Sequence, residues 1–344
     1  MCQAYQRLRA EVSSETLLAA PLAFRESPCN KKRGSMKKIA TTARLVFALL
    51  IAQIGQAQTV TTAAKPESPA KKPSPPTEIN YTVTEAFPLG DRFIGALNRS
   101  GELALIGDFA ASFVDKKRKV TDFECSMFSS GAVDHFTTPL GINNKGDIVG
   151  FCHDDRRLIE TGFLRSKSGS LSQFSAPGAT STVANGVNDF GQIVGQSSGI
   201  SGTFSFIRSP DGTQYQNILP PTTEALVQAV AINNSLKVVG HYTDNSGQHA
   251  FLWDNGQFTE LRVPGASNSD VRQLNNNDQA LMFATVDDIG SHYLYSDGNY
   301  LRINNPEGYT WQNVIALNDD GELAGSAFDD HNVSFDIIAK PRKK

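Results

Sequence analysis

The sequence predicts an all-β fold, a six-bladed β-propeller built from repeats of about 43 residues, a period that signals stacked structural units. Three observations predict it. One short phrase returns six times: an aliphatic residue, Asn, a turn usually closed by Gly, then an apolar strand usually ending in Gly. Its asparagines are Asn98, Asn143, Asn188, Asn233, Asn275 and Asn318, spaced 45, 45, 45, 42 and 43 residues apart. Each unit also offers four short strand-like segments, the count of a propeller blade. The two ends complement one another, which suits a closed ring better than an open β-solenoid that would need caps.

The strands follow in order within each unit. After the Asn phrase comes an apolar segment such as TFSFIRS (203–209) or HAFLWD (249–254), then a tight Gly turn such as PDGT (210–213) or DNGQ (254–257). Turns of this kind join antiparallel strands. A third strand ends near Pro, as in LSQFSAPG (171–178) and FTELRVPG (258–265), and a fourth, such as TVANGVN (182–188), leads into the next Asn. The last unit stops at VSFDIIA (333–339) without its Pro-ended strand. INYTVTEAFPLG (79–90) looks like that missing strand and DRFIGALN (91–98) like its fourth, so strands from both termini are expected to share one blade. The propeller is placed at residues 79–339.

These units resemble the HAF-repeat family of extracellular bacterial proteins. The motif stands complete as His249-Ala250-Phe251, with Gly162-Phe163, Ser205-Phe206 and His292-Tyr293 in its place elsewhere. The likeness covers units 2 to 6 and is weak in unit 1, around KKRK (116–119). It implies secretion and a repeat fold, and it brings no activity.

Targeting agrees with that implication. Residues 36–57 read as a cleavable signal peptide: Lys37, Lys38 and Arg44 precede an apolar run, Leu45–Ile54, and small residues set the cut between Ala57 and Gln58. The run is about half of the ~20 residues a bilayer requires, so no permanent membrane span is expected. Residues 1–35 read as an upstream extension from a mis-assigned start, the alternative being a real cytoplasmic extension. Residues 58–78 read as a Pro/Lys-rich disordered linker, and 340–344 as a basic tail. Export to the periplasm or the exterior follows.

Nine of the 32 basic residues and three of the 35 acidic ones lie in residues 1–57, which leaves 23 and 32 beyond them. An acidic surface offers nothing to nucleic acid. Cys125 and Cys152 remain after the cut. An exported pair is a candidate disulfide, the other reading being two buried free thiols.

Sequence motifs for chemistry are sparse. The repeated Asn reads as turn chemistry: its side chain accepts from the backbone two residues on, while Gly101, Gly146, Gly191 and Gly321 supply positive φ. Leu236 stands at that Gly position in unit 4, which is expected to turn differently. Asp154-Asp155, Asp244-Asn245, Asp287-Asp288 and Asp329-Asp330 recur in a turn, yet Ca²⁺ needs several converging oxygens. Histidines are scattered, with His249 and His292 taken as equivalent. No nucleophile elbow, zincin or phosphate-loop motif occurs. The expectation is a monomeric, non-enzymatic scaffold binding a protein or glycan through propeller-face loops, without a cofactor. The alternative is a secreted hydrolase or lyase with a metal, Ca²⁺ for example, at the tunnel mouth.

Overall fold

The computed structural model describes residues 77–88, 90, 92–125, 135–154, 158–200, 202–219, 226–245 and 247–342. The upstream extension, the signal peptide, the Ala57/Gln58 cut and residues 58–76 of the linker lie outside the described residues. Every regular element among them is a strand, and the strands form six sheets arranged as the blades of a propeller.

Strands β1 (Thr77–Ile79) and β2 (Tyr81–Pro88) come first in the chain and complete blades formed last. Blade I holds β3 (Phe93–Leu97), β4 (Leu103–Ile106), β5 (Ala111–Val114) and β6 (Val120–Phe123). Blade II holds β7 (His135–Ile142), β8 (Ile148–Asp154), β9 (Ile159–Arg165) and β10 (Leu171–Phe174). Blade III holds β11 (Ser181–Val187), β12 (Ile193–Gly199), β13 (Gly202–Arg208) and β14 (Tyr215–Ile218). Blade IV holds β15 (Leu226–Ile232), β16 (Val238–Asp244), β17 (Gly247–Asp254) and β18 (Gln257–Glu260). Blade V holds β19 (Ala266–Leu274), β20 (Ala280–Val286), β21 (Ile289–Ser296) and β22 (Asn299–Ile303). Blade VI holds β23 (Tyr309–Leu317), β24 (Leu323–Asp329) and β25 (Ser334–Pro341).

The blade phase differs from the sequence reading. TVANGVN is not the last strand of its unit but β11, the innermost strand of the next blade, paired with β12 across the Asn188 turn. The short Asn turn enforces local hairpin pairing. The Pro-containing connection before it cannot continue a ladder, since Pro lacks the donor. The ends follow the same logic. β2 lies antiparallel to β25, from Tyr81↔Pro341 to Pro88↔Phe335, as the outer strand of blade VI. Residues 93–97, expected in that same blade, pair instead with β4 as the first strand of blade I. The folded boundaries also widen. Thr77 and Glu78, assigned to the linker, pair parallel to β22 on the edge of blade V. Lys340, assigned to a tail, pairs with Thr82, and its Nζ sits 3.0 Å from Glu322.

Apolar residues pack between blades, because each sheet is too thin to bury its own two faces. Each of six buried clusters joins neighbouring blades. Val194 and Ile207 of blade III meet Val238, Phe251 and Trp253 of blade IV, and Ala316, Ala324 and Ile338 of blade VI meet Ile94, Leu97 and Leu103 of blade I. Phe163, Phe206 and Phe251 occupy matching third-strand positions and are fully buried; each stabilises by about 1.5–3 kcal/mol through apolar burial.

Every innermost strand carries a β-bulge one turn before its Asn, at Ile94/Ala96, Pro139/Gly141, Ala184/Gly186, Ala229/Ala231, Val271/Gln273 and Val314/Ala316. The bulge bends the strand locally and requires Gly opposite it in four blades. A Cβ on Gly150, Gly195, Gly240 or Gly325 would overlap the carbonyl oxygen of Thr138, Val183, Gln228 or Asn313. Small residues two before Asn allow close approach of neighbouring inner strands: a Cβ on Gly186 would crowd Ala231 Cα at 3.1 Å.

Candidate functional site

The repeated asparagines form a closed ring of hydrogen bonds around the propeller axis. Each is buried. Each Oδ1 accepts the backbone N–H two and four residues on at 2.9–3.0 Å, which holds the hairpin turn. With the oxygen so fixed, Nδ2 points sideways and donates to the backbone carbonyl of the next blade's Asn. Asn98 donates to Asn143 (3.0 Å), Asn143 to Asn188 (3.0 Å), Asn188 to Asn233 (3.1 Å) and Asn233 to Asn275 (3.3 Å). Asn275 donates to Asn318 (3.0 Å), and Asn318 returns to Asn98 (3.1 Å).

The second Nδ2 proton goes to the side chain four residues on: Glu102, Asp147, Gln192, Gln279 or Glu322. In blade IV that residue is Lys237, which cannot accept. Asp278 of blade V takes its place, accepting from Asn233 Nδ2 at 2.7 Å and from Lys237 Nζ at 2.8 Å. Leu236 does not alter the turn, contrary to expectation. It adopts φ 63°, and Asp278 adopts φ 59°, so the hydrogen bonds of the turn outweigh the strain on Leu.

A second tier, missed in the sequence, lines the axial mouth. It comprises the residues after each Asn: Arg99, Asn144, Asp189, Asn234, Asn276 and Asp319. Five backbone N–H groups donate to the next blade's side-chain oxygen: Arg99 to Asn144, Asn144 to Asp189, Asp189 to Asn234, Asn234 to Asn276, and Asn276 to Asp319. Arg99 offers no oxygen for a sixth, and its Nε turns to Asp320 at 3.0 Å. Because the amide oxygens are committed sideways, their Nδ2 groups project into the mouth. Asn144 bridges Asp189 (3.0 Å) and Asp319 (2.7 Å), Asn276 bridges the same pair (3.4 and 2.9 Å), and Asn234 adds a bond to Asp189 (2.7 Å). The polar cavity at the mouth, lined in this tier by Asn144, Asp189, Asn276 and Asp319, is about 50 Å³. The signal for this tier was present: the position after Asn repeats at the same period and is Asn or Asp in five of six units.

Neighbouring blades are also locked at the bulges. Ser205 Oγ, His241 Nε2, His292 Nε2 and Asp336 Oδ2 accept the N–H of Ala229, Val271, Val314 and Ile94, each in the next blade. At the corresponding place between blades I and II stands Pro139, which has no N–H to satisfy. Burial and the nearby Arg272 guanidinium drive the His292 pKa down to about 3. Burial raises that of Asp336 to about 6, against the pull of the Ile94 N–H. Asp270 lies against the His241 ring and reaches Arg272 at 3.4 Å. Burial pushes its carboxyl up, yet His241 and Arg272 hold it below the usual range.

His249 and His292 are not equivalent. His249 pairs across from Tyr242, whereas His292 pairs across from Phe283, one place along the strand. A shift of one residue turns the side chain to the other face of the sheet. His249 stacks on Tyr242 at 4.7 Å between Asp244 and Glu260, while His292 is buried between blades. Cys125 and Cys152 form a disulfide, with Cα atoms 5.9 Å apart, that links the end of blade I to β8. The acidic turns join second and third strands of blades II, IV, V and VI, at the end remote from the Asn ring. Among the described residues no three His, Cys, Asp or Glu side chains converge to hold an ion, and no helix is long and apolar enough to cross a membrane.

No family model and no curated protein matches the chain. Solved structures do. A catalytically inactive virginiamycin B lyase of Staphylococcus aureus, with quinupristin, is 13% identical with a TM-score of 0.44, over 74% of this chain and 87% of that one. The β-propeller domain of the Trilobed protease of Pyrococcus furiosus is 10% identical with a TM-score of 0.45, over 77% and 85%. Regucalcin, a calcium-binding protein of Agrobacterium tumefaciens, is 11% identical with a TM-score of 0.43, over 78% and 98%. The likeness is one of fold, and no activity is carried across by it.

Proposed function

We propose that this chain is an exported, non-enzymatic propeller scaffold that binds a protein or glycan through loops at one face. One observation carries the reading. At the axial mouth, where a propeller enzyme would gather ligands, the amides of Asn144, Asn234 and Asn276 present N–H donors inward and occupy carboxylate oxygens of Asp189 and Asp319. Hard cations take oxygen ligands, commonly six to eight for Ca²⁺. Inward amide nitrogens are the wrong chemistry for one, and the Oδ1 atoms cannot turn in without breaking the blade-to-blade bonds. The mouth is thereby a seal.

Export is supported by the basic, apolar and small-residue pattern of residues 36–57 and by the Cys125–Cys152 bond, since disulfides persist in oxidising compartments. The HAF-repeat assignment rests on its motif residues alone. Calorimetric titration of the exported protein with Ca²⁺, alongside turnover assays on sugars and lactones, tests the reading. No saturable uptake and no turnover are expected. One tightly held ion per chain that Asp189→Asn abolishes, or any turnover, would overturn it.

A further inference from the structure

The acidic turns remain unexplained by the axial network. They lie at the face opposite the Asn ring, because each second strand runs seven or so residues, roughly 23 Å, away from it. From blade III to blade VI these turns carry exposed apolar residues, carboxylates or, in blades V and VI, both. Ile200, Phe204, Ile289 and Val333 stand exposed, Ile289 at 61% and Val333 at 50%. Asp244, Asp287, Asp288, Asp329 and Asp330 stand in the turns of blades IV to VI, and the four turns contain no Lys or Arg in sequence. Asp287 and Asp288 both adopt positive φ (49° and 62°), which fixes two adjacent carboxylates beside Ile289 at the tip of blade V.

Most turn-borne basic residues lie elsewhere; the exception within the arc is Arg262, exposed between β18 and β19 and turned to the Ala266 carbonyl at 3.4 Å. Arg99, Lys116, Lys117, Lys119, Lys145 and Lys167 all sit in turns on the Asn side. The arc ends at blade II, whose turn carries Arg156 and Arg157 in the sequence. A partner covering the apolar tips of blades III, V and VI would remove that area from water, and the carboxylates choose the partner. Like charge opposes a second copy of this face and opposes anionic lipid, while an uncharged glycan gains nothing from the field.

We infer that the arc of second-to-third-strand turns from blade III to blade VI docks a basic protein segment bearing apolar side chains. Its cations meet the Asp pairs and its apolar groups cover Ile200, Ile289 and Val333. The inference rests on the scaffold reading and adds the face and the chemistry of the partner.

The probe is a short labelled peptide alternating Lys and Leu, with Lys/Ser and Glu/Leu peptides as references, titrated against the exported protein by fluorescence anisotropy. Saturable binding of the Lys/Leu peptide is expected, weakened as salt rises from about 50 to about 300 mM, where screening shortens the reach of the field. Two triple variants, Asp287→Asn/Asp288→Asn/Asp330→Asn and Ile200→Ser/Ile289→Ser/Val333→Ser, should each weaken it about tenfold, as loss of a central patch does. Phe190→Ser/Asp320→Asn on the Asn side should leave it unchanged. Equal affinity for Lys/Ser, or binding that only the Asn-side variant removes, would sink the face assignment and leave the scaffold reading standing. Binding to neither face would sink the assignment too, and self-association lost in the apolar variant would name a second copy as the occupant instead. Ca²⁺-dependent turnover would sink the scaffold reading itself.

Discussion

Asn318 donates its Nδ2–H to the backbone carbonyl of Asn98 at 3.1 Å, across 220 positions of sequence, and this bond closes the ring of six. The same side chain holds its own turn through Oδ1, with Asp320 and Glu322 N–H as donors. One residue type thus performs a local and a long-range task, which is why it can be replaced at none of the six positions without a double loss.

Asn188→Ala should lower stability by about 2–4 kcal/mol. It removes two bonds to Oδ1 and two from Nδ2, and buried hydrogen bonds contribute about 1 kcal/mol each, more where a partner is left unsatisfied. Asn188→Asp should also destabilise, since a carboxylate oxygen would face the Asn233 carbonyl. Urea midpoints of the three proteins check both statements.

Leu236→Gly should stabilise the protein by about 0.5–1 kcal/mol. Leu236 is partly exposed at φ 63°, so relief of backbone strain outweighs the lost contact. A lowered melting temperature would show that Leu236 packs more tightly than its exposure suggests.

Two buried groups give opposite pH dependence. Asp336, with a pKa raised to about 6 in the fold, is held more easily protonated. Its contribution is greatest below the ordinary carboxylate range and falls as pH rises through about 6, by at most ~3 kcal/mol. His292, lowered to about 3, contributes stability above the ordinary imidazole range that is lost as pH falls toward about 3. The two oppose one another between about pH 4 and 6. Asp336→Asn keeps the acceptor for Ile94 and should raise stability at neutral pH, leaving the acid loss due to His292 exposed. His292→Gln should flatten that loss. Denaturation midpoints across pH 4 to 8 read both, and identical profiles for wild type and Asp336→Asn would contradict the assignment.

Reduction of Cys125–Cys152 should cost about 3–4 kcal/mol on the chain-entropy estimate for a loop of this size, the cysteines being 27 residues apart. Cys125→Ser/Cys152→Ser should match the reduced protein, and adding reductant to that variant should change nothing.

The architecture was legible because Asn98 to Asn318 recur at one period, and a period needs no tertiary knowledge. The axial tier was harder to read. Asn144, Asp189 and Asn276 look like ordinary turn residues, and only closure of the ring brings their side chains together. Leu236 misled because propensity argues for each residue alone, whereas the turn is fixed by Asn233 on one side and Asp278 of the next blade on the other. His249 and His292 align by motif only if spacing is ignored: His249 stands 16 residues after Asn233 and His292 17 after Asn275, and that one-residue offset puts them on opposite sheet faces. The blade phase was lost for a similar reason: repetition fixes the period of a repeat but not where its hydrogen-bonded sheet begins.

The pairing of β2 with β25 sets a timetable for the molecule. β2 is made early and finds its partner only when the chain some 250 positions later has emerged, as the Thr84 to Ile338 bond, 254 residues apart, illustrates. Until then blades I to V can stack in order of synthesis, but the apolar flank of blade I that receives Ala316, Ala324 and Ile338 stays open. The pairing of the two ends is thus the one blade contact that synthesis can supply only at its close, and a ribosome that still holds β25 keeps the ring open.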